Sequence, residues 1–275
     1  MLRRLLLPAV LVLIALLPAR AEGPARLDDL LRALAMNDLA QIMREEGLSY
    51  GDDLEAEMFP ERGGESWDAA VAQIYDTGRM TAEIRTSLAD ELAQTDLDPL
   101  IDFFASETGR RIVSLELSAR RALLDPEVEA ASIERLEEME ADEDPRLDLV
   151  ERFVEANDLV DANVVGALNS NYAFYTGLAD GDAFAYEMTE EQMLADVWGQ
   201  EPEVRDETRQ WLLSYLVMAY APLPDEALEA YIAVSETAQG QALNAALFAA
   251  FDVAFTRISR ELGLAAAQFI AGQDI

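Results

Sequence analysis

The chain has 275 residues, with 54 acidic residues against 20 basic ones, and its formal net charge is −34. It contains no Cys and no His, and every basic residue is Arg. These absences exclude disulfides, thiol catalysis, Cys-based zinc sites, the Ser-His-Asp triad, Lys Schiff bases and the P-loop. Nucleic acids and anionic membranes are not expected as partners, because a surface of this charge repels them.

The first 21 residues have the pattern of a secretory signal peptide. Arg3 and Arg4 precede an apolar run over residues 5–17, and the small-x-small pattern Ala19-Arg20-Ala21 follows. The run is shorter than the ~20 residues that a membrane-spanning helix needs, although an uncleaved anchor is the alternative. We therefore expect cleavage after Ala21, a periplasmic location, and no integral membrane segment in the mature protein.

The rest of the chain shows helical periodicity nearly from end to end. Leu27, Leu30, Leu31 and Leu34 follow one helix face, and Met80, Ile84, Leu88 and Leu92 repeat at every fourth position. No stretch alternates with the period of a strand. The pattern predicts an all-α protein, a bundle of about ten helices.

Several short motifs predict where helices begin. Asp125-Pro126, Asp144-Pro145 and Glu201-Pro202 place Pro where a first helical turn tolerates it. Residues 189–192 have the form of a capping box, and Ser66 is expected to cap the helix that carries Trp67. The densest acidic run, residues 134–144, is expected to be a helix end and a solvated linker.

Two segments of the chain resemble each other at a spacing of 131 residues. The shift pairs Ser106 with Thr237 and Gly109 with Gly240, within apolar positions that also agree. We interpret this as an internal duplication. The expected organisation is a signal peptide (1–21) followed by two diverged, pseudo-symmetric helical halves (22–143 and 144–275) packed as one unit.

The repeated hydroxyl and Gly favour a structural role over a catalytic one. Ser106 and Thr237 are suited to cap the helices that follow them, and Gly109 and Gly240 would let helix backbones approach closely. A hydroxyl nucleophile would need a His or Lys base, and the chain has neither.

The stretches "LDPLIDFFASETGRR" and "LEAYIAVSETAQGQAL" carry this pattern. Around residues 80–124 and 211–255 the sequence resembles the bacterial family called domain of unknown function 2059. The resemblance implies a secreted, all-helical protein, and it brings neither an activity nor catalytic residues.

Candidate binding residues lie in residues 168–184, where amides and phenols stand among apolar residues. Asn169, Asn171, Tyr172 and Tyr175 form the mixture that lines sugar or peptide sites, although the same residues could complete a helix end. No carboxylate is expected in an apolar aromatic setting that would suit acid/base chemistry. Glu187, which follows Phe184 and Tyr186, comes nearest to one and is included with the candidate binding residues. A calcium loop is not expected, because Phe184 and Ala185 occupy positions that need a ligand and a Gly.

Residues 240–258 are apolar on nearly every face. Asn244 and Asp252 lie on one side of this segment and argue against a membrane span. A central buried helix is the simpler interpretation, and a helix that binds a partner or lipid is the alternative.

These observations favour a non-catalytic periplasmic binding or scaffold protein for envelope proteins or a small apolar ligand, without metal or cofactor. The alternative is a carboxylate-dependent hydrolase of the cell envelope, which only the compartment and the abundance of acidic residues support.

Overall fold

The computed structural model describes residues 22–184 and 188–272, and within them every regular element is helical, which confirms the all-α prediction. The helices are α1 (Glu22–Ala33), α2 (Met36–Met58), α3 (Gly64–Ile74), α4 (Thr77–Glu91), α5 (Asp98–Phe104), α6 (Glu107–Ala122), α7 (Pro126–Ala141), α8 (Pro145–Ala156), α9 (Leu159–Asp180), α10 (Glu190–Gly199), α11 (Glu201–Tyr220), α12 (Asp225–Ser235) and α13 (Ala238–Ile270). The expected signal peptide lies outside the described residues.

The start signals read from the sequence are found at the helix ends. The carboxylates of Asp125 and Asp144 each accept a backbone N–H at the first turns of α7 and α8, where Pro follows. Thr189 and Gln192 exchange both hydrogen bonds of a capping box at the start of α10. These side chains satisfy N–H groups that a helix leaves without an internal partner.

The prediction that Ser66 caps α3 is wrong, because the helix begins earlier, at Gly64. The carboxylate of Glu55, one turn before the end of α2, accepts the backbone N–H groups of Gly63 and Gly64 at 2.9 and 3.1 Å. Gly64 has φ +53°, a conformation that glycine adopts without the steric cost that a side chain would add. A distant acceptor therefore replaces the local cap.

The long C-terminal helix α13 crosses the middle of the molecule and packs chiefly against α9 and α4. At the crossing with α9, a Cβ added at Gly177 would lie 2.2 Å from the carbonyl oxygen of Arg260. A Cβ at Gly263 would lie equally close to the carbonyl oxygen of Phe174. The two backbones approach this closely because neither helix has a side chain at the contact.

Helix α13 also has the length and mean hydropathy, 1.2, that a membrane-spanning helix needs. Composition alone does not separate such a helix from the core helix of a folded bundle. Here its residues Ala246, Ala250, Ala254 and Ile258 are buried against neighbouring helices. In the most apolar 18 residues of α13, 28% are buried, so the core-helix interpretation accounts for one side of the helix only.

The order and packing of α1–α6 correspond to those of α8–α13. The contacts α1·α5, α2·α3, α2·α4 and α5·α6 are matched by α8·α12, α9·α10, α9·α11 and α12·α13. The α1–α2 and α8–α9 joints each contain one residue in the left-handed region, Ala35 at φ 49° and Asp158 at φ 50°. One environment differs strongly, since Trp67 is buried and Trp198 is 62% exposed. The duplication itself stays a prediction.

The helices of the two sequence halves interleave. Helix α4 packs on α13, and α11 packs on α6 and α7. Between α4 and α13, the guanidinium of Arg257 donates to Glu83 at 2.8 Å and to the carbonyl oxygen of Ile74 at 3.2 Å. The hydrophobic core is therefore shared between the halves.

Candidate functional site

The repeated Ser/Thr and Gly residues form two joints of the same geometry. The hydroxyl of Ser106 accepts the N–H of Gly109 at 3.0 Å, at the start of α6. The hydroxyl of Thr237 accepts the N–H of Gly240 at the same distance, at the start of α13. Both hydroxyls therefore cap a helix, and in each joint a short helix, α5 or α12, comes immediately before.

The glycines of these joints lie against the preceding helix. A Cβ on Gly109 would lie 2.2 Å from the carbonyl oxygen of Phe103, and a Cβ on Gly240 would lie 2.1 Å from that of Val234. Real side chains do not approach a backbone oxygen this closely. In both joints the hydroxyl is engaged in capping the helix that follows.

The binding residues suggested by the sequence are divided between two faces of α9. Asn169 donates to the carboxylate of Asp252 on α13 at 2.8 Å. On another face, Asn171 donates to Gln200 at 3.1 Å, and the hydroxyl of Tyr172 donates to Glu190 at 3.3 Å. Tyr175 packs with Phe184, their ring centres 6.3 Å apart, and Glu187 lies outside the described residues. These side chains do not form one common site.

A groove of about 670 Å³ lies along α9 and α13, and α11, α6 and α2 each contribute to its wall. Its apolar lining includes Phe248, Phe251 and Phe255 on successive turns of α13 and Trp211 on α11. Val165 of α9 is 54% exposed and Trp211 is 37% exposed, so apolar surface here faces solvent. A volume in this range and an apolar lining are typical of small-molecule sites.

Trp211 is held in place by stacking on Tyr215, one turn further along α11. Their ring centres are 5.3 Å apart, and the planes are inclined by 17°. The hydroxyl of Tyr215 donates to the backbone oxygen of Glu116 at 3.2 Å, which fixes the phenol against α6. The position of Trp211 in the groove wall is thus stabilised by the hydrogen bond between Tyr215 and the backbone of α6.

Polar residues also line the groove: Arg120, Asp158, Asp161, Asn163, Asn169, Ser170 and Asp252. Arg120 donates to both carboxylate oxygens of Glu46, at 2.6 and 2.8 Å, across α6 and α2. Asp161 pairs with Arg205 at the rim, and Asp158 is exposed there. Such groups fix the orientation of a ligand, while the apolar lining supplies most of its contact area.

A smaller cavity of about 170 Å³ adjoins the groove, and we call it the chamber. The groove and the chamber share Arg120 and Phe251 in their walls. Glu116 and Tyr231 contribute polar atoms to the chamber, and most of its remaining lining is apolar: Leu34, Met36, Leu39, Phe104, Val113, Leu117, Leu247 and Phe251. The chamber lies where the α1–α2 joint, α2, α5, α6, α11, α12 and α13 meet, between the two sequence halves.

Glu116 is the half-buried carboxyl of this region. Its Oε1 accepts the hydroxyl of Tyr220 at 2.7 Å. Burial raises the pKa of the Glu116 carboxyl to about 7, and the hydrogen bond from Tyr220 only partly opposes that shift. Burial also raises the pKa values of Tyr215, Tyr220 and Tyr231, with the nearby Glu116 adding to the effect. The phenols therefore remain neutral donors.

The sequence interpretation missed Glu116, Trp211 and the Phe residues of α13. The expectation that no carboxylate stands in an apolar aromatic setting is wrong for Glu116. The signal was its position in α6, one helical turn from the buried residues Ile112, Val113 and Ala119. For α13 the signal was an apolar surface wider than one core-facing stripe, which leaves a second face for the groove.

A second cavity of similar volume lies between α7 and α11. There the guanidinium of Arg146 donates to the carbonyl oxygens of Tyr220 and Leu223 and pairs with Asp225. The polar groups of this cavity therefore form ion pairs and hydrogen bonds with one another and with the backbone of the turn after α11. Over residues 22–184 and 188–272, no group of three or more carboxylates is arranged to hold a metal ion.

The comparisons with known proteins support one resemblance. No curated protein and no solved structure was found to match the chain. The segment around residues 211–255, which carries the second copy of the pattern, lies outside the matched region. Residues 78–138 match the model of a bacterial family described as "Uncharacterized protein conserved in bacteria (DUF2059)", which confirms the family resemblance over α4 to α7.

Proposed function

We propose that the protein is an exported, non-catalytic binding protein that holds a small apolar ligand in the groove along α9 and α13. The observation that carries this proposal is the solvent-facing aromatic lining formed by Phe248, Phe251, Phe255 and Trp211. A concave, mainly apolar surface with a few convergent polar groups is the usual form of a small-molecule site. The concave shape favours a small ligand over the flat surface of an envelope protein.

The hydrolase alternative receives no comparable support. Glycoside hydrolysis uses two carboxyl groups that flank one bond. Glu116 is the sole carboxyl in the described lining of the chamber. In the groove, Asp161 is paired with Arg205, and Asp252 accepts from Asn169. These pairings favour positioning over acid/base chemistry.

The proposal is tested with the neutral fluorescent probe N-phenyl-1-naphthylamine, which the negative charge of the protein does not repel. We expect saturable binding by the full protein. Val165→Asp should weaken it at least about tenfold, because the new charge would lose its hydration beside the apolar ligand. Val253→Asp is the matched control, since Val253 is also about half exposed, at 52%, but does not line the groove.

The proposal fails if the probe does not bind saturably or if both Val variants weaken binding equally. Export is tested separately, by fractionating cells and measuring the intact mass of the periplasmic species. A protein that begins at Glu22 would agree with cleavage after Ala21, whereas retention of residues 1–21 would contradict it.

A further inference from the structure

The polar atoms of the chamber have unused hydrogen-bonding capacity. Among the hydrogen bonds of the described residues, Glu116 uses Oε1, whereas neither its Oε2 nor the hydroxyl of Tyr231 takes part in any. Tyr231 is held by three aromatic neighbours, Phe103, Phe104 and Phe153, with ring centres 4.7–5.9 Å away. A carboxylate oxygen and a phenol therefore face one small space with fixed positions. Both atoms can accept a further hydrogen bond, so this space is suited to a polar group of a ligand.

The local charges select the sign of that group. Arg120 is neutralised by its two hydrogen bonds to Glu46, so Glu116 alone decides the charge of the chamber. Acidic side chains Asp158, Asp161 and Asp252 line the adjoining groove. The chain as a whole carries a net charge of −34. A cationic group is therefore attracted to the groove and the chamber, and an anionic group is repelled.

We propose that the chamber receives the protonated amine end of an amphipathic ligand, with Glu116 as its counter-ion and the apolar part of the ligand in the groove. This inference rests on the proposed binding function and specifies its ligand class. Oε2 of Glu116 accepts one ammonium N–H, the hydroxyl oxygen of Tyr231 accepts another, and Tyr220 continues to donate to Oε1. The groove and the chamber share Phe251 and Arg120 in their walls, and the proposal places the chain of the ligand along these two side chains.

Binding of the amine changes the protonation of Glu116. The groups that face this carboxyl are Tyr215 and Tyr220 of α11, Tyr231 of α12, Arg120 of α6 and, through Arg120, Glu46 of α2. Below neutral pH the free protein holds Glu116 protonated, because burial raises its pKa. The ammonium group stabilises the carboxylate, so the carboxyl proton leaves to solvent when the ligand enters.

The experiment compares decylamine, decanol and decanoate, which share one chain length and differ in the end group. Each competes with N-phenyl-1-naphthylamine for the full protein at pH 6. We expect decylamine to bind at least about tenfold more tightly than decanol, because an ionic hydrogen bond contributes more than a neutral one. Decanoate should bind most weakly. Calorimetry in two buffers of different ionisation enthalpy should show the release of nearly one proton with decylamine and none with decanol.

The preference ratio, the affinity for decylamine over that for decanol, is then measured in Glu116→Gln. This variant keeps the acceptor for Tyr220 but has no ionisable group, so the ratio should fall at least about tenfold. Glu137→Gln on the exposed face of α7 has the same change in net charge and should keep the wild-type ratio.

Three outcomes would overturn the inference. Equal affinities for decylamine and decanol, with both displacing the probe, would leave the groove as an apolar site and reject the amine. A preference ratio unchanged in Glu116→Gln would place the counter-ion elsewhere. Failure of every compound and of the probe to bind would reject this inference together with the proposed function.

Discussion

Glu116 shows how a half-buried carboxyl can be unfavourable for stability. Its carboxyl lies among tyrosines and apolar side chains, and a single described hydrogen bond, from Tyr220, supports it. The free energy that a carboxylate loses on leaving water is larger than the free energy gained from one neutral hydrogen-bond donor. The protonated form is therefore favoured in the folded protein, and the pKa of the carboxyl rises to about 7. Such a shifted group in a cavity is more typical of a binding site than of a packing role.

The shifted pKa of Glu116 predicts how stability changes with pH. In the unfolded chain the carboxyl titrates near 4.5, and in the folded protein near 7, so between these values only the unfolded state loses its proton. The contribution of this group is therefore most favourable below pH 4.5 and is lost as the pH rises to 7. Glu116→Gln has no carboxyl at this position and does not lose stability in this way. The free energy of unfolding of Glu116→Gln minus that of the wild type should therefore be about 2 kcal/mol larger at pH 8 than at pH 5.

Urea unfolding of both proteins at pH 5, 6.5 and 8 measures that difference. Glu137→Gln serves as the control, because its exposed position changes the net charge equally without a buried carboxyl. A difference between Glu116→Gln and the wild type that stays constant across this range would show that Glu116 titrates normally in the folded state.

Single residues were the hardest features to predict from the sequence. Asp125 and Asp144 could be assigned as caps because their role depends only on the adjacent Pro and the first helical turn. Glu116 could not be assigned, because its environment is built by α11 and α12, about a hundred residues away. Asn169 and Asn171 have similar surroundings in sequence, but the rotation of α9 directs them to different neighbours.

At the scale of elements, the two helix joints constrain the fold through backbone contact. Each joint combines a hydroxyl cap with a Gly three residues later, and in each the Gly touches a carbonyl oxygen of the preceding short helix. The cap could be foreseen from the sequence alone. The need for Gly at a close helix contact was also predicted from the sequence. The atom that each Gly approaches, a carbonyl oxygen of α5 or α12, is known only from the structure.

Adding a methyl group at these joints should separate the helices that meet there. Gly109→Ala and Gly240→Ala each place a Cβ against a backbone oxygen that cannot rotate away, so we expect a loss of about 2 kcal/mol or more in the free energy of unfolding. Gly199→Ala is the control, because nothing lies within 4 Å of its Cβ position, and Ala stabilises helices. Urea denaturation of the three variants checks this. Losses at Gly109 and Gly240 no larger than the effect at Gly199 would contradict the close-contact account.

At the scale of the whole molecule, the division of the sequence does not coincide with a division of the core. Residue 143 ends the first half by sequence similarity, but α4 packs on α13, and α6 and α7 pack on α11. Periodicity located most helices because it depends on local spacing. Periodicity could not show that helices of one half pack on helices of the other, an arrangement that we call the exchange, because contacts between the halves leave no periodic signal. The groove and the chamber result from the exchange, since both are lined by helices from each half.

The exchange predicts that neither half folds alone. The fragment 22–143 would expose Ile84 and Leu88 of α4, which pack with α13, and Ile112 of α6, which packs with α11. The fragment 144–275 would expose the matching faces of α11 and α13. Burial of apolar area supplies most of the stability of a domain, and each fragment would lose much of this burial.

We therefore expect no cooperative thermal transition for either fragment, as measured by circular dichroism, and recovery of one transition when equimolar fragments are mixed. The mixture should also regain binding of N-phenyl-1-naphthylamine, because the groove needs helices from both. Two fragments that each unfold cooperatively near the melting temperature of the intact chain would instead show that the sequence halves are independent domains that meet only at their surfaces.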